Sequence, residues 1–244
     1  MLIIWSILGL AIGVILNLLI DRLPRREFPF SWPVPCRHCY APLPAVQIPA
    51  SLSFLLNRRR CESCGYELEL PSLLVELATC ALFAALYLRF GLTLPLFVYS
   101  LYSCVFIVIF MIDLEHRLIL NVVTYPSIVL AVILTFVTPG LGGGKGLLGG
   151  LFYGGLFLAF YVAAVVIYKG EALGLGDVKL ALLIGLVTGL RGAAIAALIG
   201  TAVGSLIGIW LMLFRRTPSK ATMPYGPALS LGAVAAILWS PWIS

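Results

Sequence analysis

The chain has 244 residues and a formal charge of +6; 61% of its residues are hydrophobic and 11% are charged, against about 45–50% and about 25% for an ordinary soluble domain. This excludes a water-soluble globular fold, and it leaves no room for a large aqueous domain, because each bilayer-spanning helix takes about 20 residues. Nucleic acid is excluded as a partner too: the cations flank apolar segments, as the positive-inside rule explains, and there is no surface of interleaved basic and aromatic residues.

In chain order, hydropathy places spans at 2–20, 72–89, 94–112, 119–137, 146–168, 178–190, 192–214 and 226–243. The expected fold is therefore an all-α polytopic membrane protein with about eight transmembrane helices and one small polar loop. Its expected parts are a first transmembrane helix (1–20), a four-cysteine loop (21–71) and a seven-helix membrane domain (72–244). The first span lacks a basic n-region and an A-x-A-like exit, so it is expected to be a retained helix rather than a signal peptide.

The sixth span is short, and only Arg191-Gly192 separates it from the seventh. Charge favours counting them separately. With eight crossings and the N-terminus outside, Arg22, Arg25, Arg26, Arg37, Arg58, Arg59, Arg60, Arg117, Lys169, Lys179, Arg215, Arg216 and Lys220 all fall on one side. Only Arg89, Lys145 and Arg191 of the 16 cations fall on the other. The crowded side is expected to be cytoplasmic. Merging the two spans would move Arg215, Arg216 and Lys220 outside and weaken the bias.

The loop from 21 to 71 has no hydrophobic periodicity long enough for a core of its own. It carries Cys36-Arg37-His38-Cys39 and Cys61-Glu62-Ser63-Cys64, two C-x-x-C knuckles at close to zinc-ribbon spacing. Four thiolates suit the tetrahedral preference of Zn2+, and a metal would hold a loop too small and polar to fold unaided. A cytoplasmic position argues against the alternative of two disulfides. The metal ligands are thus expected to be Cys36, Cys39, Cys61 and Cys64, with His38 a bystander and Cys80 and Cys104 apolar packing residues within spans. Gly200, Gly204 and Gly208 recur every fourth residue, a pattern of close helix packing.

Chemistry points to the aspartates. The chain has three, Asp21, Asp113 and Asp177; the last two stand at the edges of apolar segments, where a carboxylate is costly and implies function. Asp113 ends the third span and Asp177 opens the sixth, so the predicted topology puts both at the cytoplasmic face. Two carboxylates near contact cannot both ionise cheaply; one keeps a proton while the other acts as a base on a shared water, as in aspartyl proteases. Gly174 and Gly176, lacking Cβ atoms, are expected to let an extended substrate backbone lie beside Asp177, and Glu171 is a further candidate for substrate binding. The plainer readings are an interfacial Asp113 paired with Arg117 and a helix-capping Asp177. Met223-Pro224-Tyr225-Gly226-Pro227 opens the last span, either at the mouth of the site or as an ordinary helix start.

These residues resemble the type IV prepilin peptidase family over nearly the whole chain. The resemblance is carried by Asn17-Leu-Leu-Ile-Asp21-Arg22-Leu-Pro24, both cysteine knuckles, Leu74-Val-Glu76-Leu77, Ile112-Asp113-Leu-Glu-His116, Glu171-Ala-Leu-Gly174-Leu-Gly176-Asp177-Val-Lys179 and Met223-Pro-Tyr-Gly-Pro227. It implies a GxGD aspartyl endopeptidase in the bacterial inner membrane with Asp113 and Asp177 as its catalytic pair. Such an enzyme removes the leader of prepilin or pseudopilin precursors after a Gly at the cytoplasmic face. The resemblance also implies possible N-methylation of the new N-terminus with S-adenosylmethionine as methyl donor. Two other readings compete with it. An ion-coupled transporter would place its carboxylates near the bilayer midplane within inverted repeats, and a zinc-loop adaptor without chemistry would leave both aspartates without a role.

Overall fold

The computed structural model describes residues 1–28, 33–36, 38–44, 47–57, 60–67, 70–138, 144–168, 174–214 and 225–239, with side chains up to 207 and at 209 in the penultimate stretch. These residues form eight helices and no strand: α1 (Leu2–Arg22), α2 (Ala50–Leu55), α3 (Leu70–Phe90), α4 (Leu94–His116), α5 (Asn121–Val137), α6 (Gly144–Tyr168), α7 (Leu175–Phe214) and α8 (Gly226–Trp239). Five of them, α1, α3, α4, α6 and α7, are long and apolar enough to cross a membrane, and α5 and α8 are shorter apolar helices. Large apolar side chains lie exposed along them, including Ile3 (72%), Phe160 (57%) and Leu198 (72%). In water that surface would be unfavourable; against lipid it is the expected exterior. The chain is a multi-pass membrane protein.

The longest helix resolves the question of the sixth and seventh spans. At about 1.5 Å per residue, a straight helix of 40 residues would run about 60 Å, twice the hydrocarbon core. It is not straight: Gly189 interrupts it with φ 68° and ψ 179°, a backbone state open to glycine. Tyr225, just before α8, interacts electrostatically with Asp177, and its ring also lies 3.1 Å from where a Cβ on Gly204 would stand. Residues 177 and 204 would be about 40 Å apart along one straight helix, so the two parts of α7 fold back on each other at Gly189. α7 therefore supplies two of the eight expected spans, and α2 is an additional short helix in the polar segment.

The described residues divide into two compact units, 1–89 and 90–244. In the first, α1 packs on α3 through Gly9 and Gly13. A Cβ on Gly9 would stand 2.8 Å from Phe83 Cβ, and one on Gly13 would stand 2.7 Å from Glu76 Cα. Trp5 stacks on Phe83 at 5.9 Å between ring centres. Glu76 is wholly buried. Its carboxylate accepts the Ala50 and Ser51 backbone N–H groups at 2.7 and 2.8 Å and the Asn17 amide at 3.3 Å. Pro49 precedes α2 and offers no side-chain cap, so Glu76 satisfies amides that a helix start otherwise leaves orphaned.

The second unit is held by backbones in close approach. Gly149 and Gly150 of α6 meet Gly185 of α7, Gly154 lies against Leu182, and Gly232 of α8 lies against Ala196 and Gly200 of α7. Between membrane helices, lipid is as apolar as the side chains, so association depends on such packing and on hydrogen bonds. Gly200 and Gly204, two of the three regularly spaced glycines, pack on Ala228, Leu229 and Tyr225; the side of Gly208 lies outside the described residues. Thr135 donates to the Leu186 carbonyl at 3.2 Å, joining α5 to α7.

Candidate functional site

Asp113 lies one turn from the end of α4. The helix stops because Arg117 takes the left-handed conformation (φ 55°, ψ 39°) and its N–H closes on the Asp113 carbonyl at 2.9 Å. The Asp113 side chain is only 5% exposed. It does not use Arg117 as the plainer sequence reading supposed: Arg117 is exposed, and no ion pair joins the two among the described residues. The Asp113 carboxylate instead accepts the backbone N–H of Gly226, the first residue of α8. That residue has to be small, since a Cβ on it would stand 2.5 Å from Asp113 Oδ2.

Asp177 sits in the first turn of α7. Its N–H donates to the Gly174 carbonyl at 3.1 Å, while its carboxylate accepts the Gly174 N–H. This reciprocal pair has the form of a capping box, with Asp177 in the third helical position. Lys179, two residues on, donates to Asn121 Oδ1 at 2.8 Å and lies 4.8 Å over the Tyr125 ring. These contacts pin the start of α7 to the start of α5.

The two carboxylates, 64 positions apart in sequence, are close enough to interact electrostatically, and each is held by an amide at a helix N-terminus, where the backbone favours negative charge. Of the glycines beside them, a Cβ on Gly174 would meet, among the described residues, only the Asp177 carboxylate at 3.6 Å and the Gly176 nitrogen at 3.9 Å, whereas Gly176 is taken up by Ile119, whose Cβ would lie 2.9 Å from an added methyl. Glu171 lies outside the described residues.

In the first unit the four cysteine sulfurs gather within 4.8 Å of one another. Cys36 and Cys64 are 3.9 Å apart, Cys39 and Cys61 3.8 Å, and no disulfide joins them. Four sulfurs set about 2.3 Å from a central Zn2+ in a tetrahedron would be about 3.8 Å apart, so the cluster has the size a metal needs.

The two knuckles repeat one geometry. Cys36 N–H donates to the Ala41 carbonyl (2.8 Å) and Tyr40 N–H to the Cys36 carbonyl (3.1 Å); Cys61 N–H donates to Tyr66 (2.9 Å) and Gly65 N–H to Cys61 (2.9 Å). Tyr40 and Gly65, each directly after the second cysteine, both have positive φ. Bridges Pro35–Pro42 and Arg60–Glu67 close the two turns in the same register. The Ser63 and Cys64 amides draw the Cys61 thiol from 9.0 down to about 7. For Cys64 the Tyr66 amide likewise pulls down, but desolvation and the three neighbouring sulfurs outweigh it and push the thiol up to about 12. Sulfurs this close ionise together around a cation. His38 stacks on Tyr66 at 5.6 Å and is not among the converging ligands.

Sequence reasoning missed two groups. Glu76 was legible as a lone acid within an apolar span, a position that demands a partner. The Gly226 amide carried no signal of its own, because a backbone donor has no residue type; only the G-P helix start hinted at it.

A family model for the bacterial peptidase A24 N-terminal domain matches residues 7–90, and one for the type IV leader peptidase family matches residues 100–209. The chain is similar to a prepilin leader peptidase/N-methyltransferase of Bacillus subtilis (strain 168), with 32% identity over 216 residues, 88% of this chain and 82% of that protein. It is also similar to proteins of the same name from Aeromonas hydrophila (27% over 260 residues, 97% of this chain and 90% of that protein) and Myxococcus xanthus (30% over 230 residues, 91% and 68%). No solved structure matches the chain significantly.

Proposed function

Because the chain belongs to the type IV leader peptidase family and is thus a peptidase, we propose that Asp113 and Asp177 are its catalytic carboxylates, acting on the leaders of type IV prepilin and pseudopilin precursors. The observation that carries this reading is the meeting of the two acids, each held by a helix-terminal amide.

The dyad works on one water. One carboxylate takes a proton from it as the water oxygen attacks the scissile carbonyl, and the other, protonated, donates to the carbonyl oxygen. A proton then passes to the leaving nitrogen and the C–N bond breaks. Gly174, with space beside the Asp177 carboxylate, supports the approach of an extended substrate backbone. Gly176 contributes through its close fit to Ile119 and its amide, and Glu171 is assigned a role in substrate binding upstream of the dyad.

The cut falls after a Gly, next to the apolar helix of the precursor. The site faces the cytoplasm and the N-terminus lies outside the bacterial inner membrane. The crowding of cations on one predicted side supports this orientation. A precursor anchored by its own helix then reaches the dyad by diffusion in the plane of the bilayer.

The reading also assigns Zn2+ to Cys36, Cys39, Cys61 and Cys64, supported by the sulfur spacing. When bound, the ion supplies structural cross-linking of the loop. The relatives' names extend to N-methylation, and we include that activity, with S-adenosylmethionine as donor. The described residues contain no strand, and so no strand-to-helix glycine turn to cradle such a cofactor; no residue is assigned to it.

The test is co-expression with a pilin precursor, following leader removal by gel shift for the wild type, Asp113→Asn, Asp177→Asn and Cys36→Ser. Both Asn variants are expected to leave the precursor uncut, and retained cleavage in either removes that Asp from the dyad. The mass of the product N-terminus reports methylation. Metal analysis is expected to give about one zinc per chain in the wild type and none in the Cys variant.

A further inference from the structure

The residues that open α8 lie against one carboxylate and within electrostatic reach of the other. Gly226 donates its N–H to Asp113, and Tyr225, the residue before it, interacts electrostatically with Asp177. We propose that Tyr225 and Gly226 are positioning residues of the peptidase, setting the two carboxylates at working separation from a third segment of the chain. The proposal rests on the dyad reading above.

A side chain at residue 226 would force one side of this contact to yield. A methyl there would stand 2.5 Å from Asp113 Oδ2 and 3.0 Å from its carboxyl carbon. α8 has no freedom to retreat. Pro227 fixes the backbone directly after the contact, Ala228 and Leu229 are buried to within 1%, and Gly200 and Gly232 hold α8 against α7 backbone to backbone. The short Asp113 side chain is therefore the part that moves, and it loses both its amide donor and its place relative to Asp177.

Tyr225 is held as firmly from the other side. Its ring lies against Gly204 of α7 and 6.4 Å from Phe157 of α6, so the orientation of the phenol is set by two helices that do not carry Asp113. Beyond it stands Tyr153, 1% exposed, whose hydroxyl bonds to no described residue and which interacts electrostatically with Tyr225.

The experiment uses the purified full-length protein in detergent and a fluorogenic peptide spanning the leader junction of a type IV pilin precursor, comparing wild type, Gly226→Ala, Tyr225→Phe and Asp113→Asn. A displacement of a reacting group by about 1 Å costs about 10²-fold. Gly226→Ala is therefore expected to lower kcat about 100-fold with KM within about twofold, and Tyr225→Phe, which keeps the ring packing and removes one hydroxyl, to lower kcat about tenfold. Combined with Asp113→Asn, Gly226→Ala is expected to cost nothing further, since the group it positions is already disabled.

A kcat within twofold of wild type for Gly226→Ala in protein with an unchanged Tm overturns the proposal. If Gly226→Ala does not fold, Tyr225→Phe decides alone, and an unchanged kcat overturns it. Full cleavage by Asp113→Asn would break the dyad reading itself, a result distinct from either.

Discussion

The cysteine loop and the helices of the second unit meet the same shortage, too little hydrophobic driving force, in opposite ways. Among the described residues between 33 and 67 the buried side chains are few: Val34, Cys36, Gln47, Ala50, Ser53 and Cys61. Order there comes from two matched knuckles, four sulfurs around one point and a carboxylate from α3 that caps α2. In residues 90–244 apolar side chains abound, yet lipid removes most of their preference for one another, and helices are joined where glycines let backbones touch. The first region is specified by polar groups at defined distances, the second by missing side chains. The candidate dyad draws on both devices, since two helix-terminal amides aim its carboxylates and a glycine makes room for one of them.

That contrast predicts different sensitivities. The largest effect is expected at the dyad, where Asp113→Asn or Asp177→Asn lowers the initial cleavage rate by about 10²–10⁴-fold while zinc content stays at the wild-type level. Next comes Gly185→Leu, which drives a side chain into the Gly149 backbone. It is expected to cost about 3 kcal/mol, measured by thermal unfolding in detergent, with the four-sulfur site still able to bind metal; loss of metal as well would show that the two regions are not independently specified.

Glu76→Ala removes the acceptor for two α2 amides and for Asn17. It is expected to cost about 2 kcal/mol and to raise amide hydrogen exchange at residues 50–55 above all other segments. Smallest is Gly65→Ala, at φ 72°. It is expected to cost about 1 kcal/mol, read as a modest loss of zinc affinity, because Tyr40 already occupies the equivalent place in the other knuckle at φ 58°.

Much of the architecture is legible in the residues. Runs such as Leu94–His116 announce spans because lipid selects composition along a segment, a local property. The four cysteines are legible because metal ligands need particular residue types at short spacing. Asp113 and Asp177 stand out because acids are rare in apolar segments. The sequence also separated the sixth and seventh spans, through the placement of Arg215, Arg216 and Lys220, and the fold-back at Gly189 agrees. Glu76 was visible but its task was not, since nothing local says that its partners are the amides of residues 50 and 51. Gly176 likewise reads as room for a ligand, whereas Ile119 from the α4–α5 connection fills that space.

By itself, then, the amino-acid order determined the apolar segments, the four cysteines that could hold a metal and the two aspartates proposed as the dyad, because each depends on residue type within a short stretch. Only the tertiary structure decided that Asp113 is held by the start of α8 and not by Arg117, that the Tyr225 ring packs against α7 and α6, and that α3 supplies the cap of α2. Those outcomes depend on backbone amides and on space left between helices distant in the chain, and neither has a letter in the sequence.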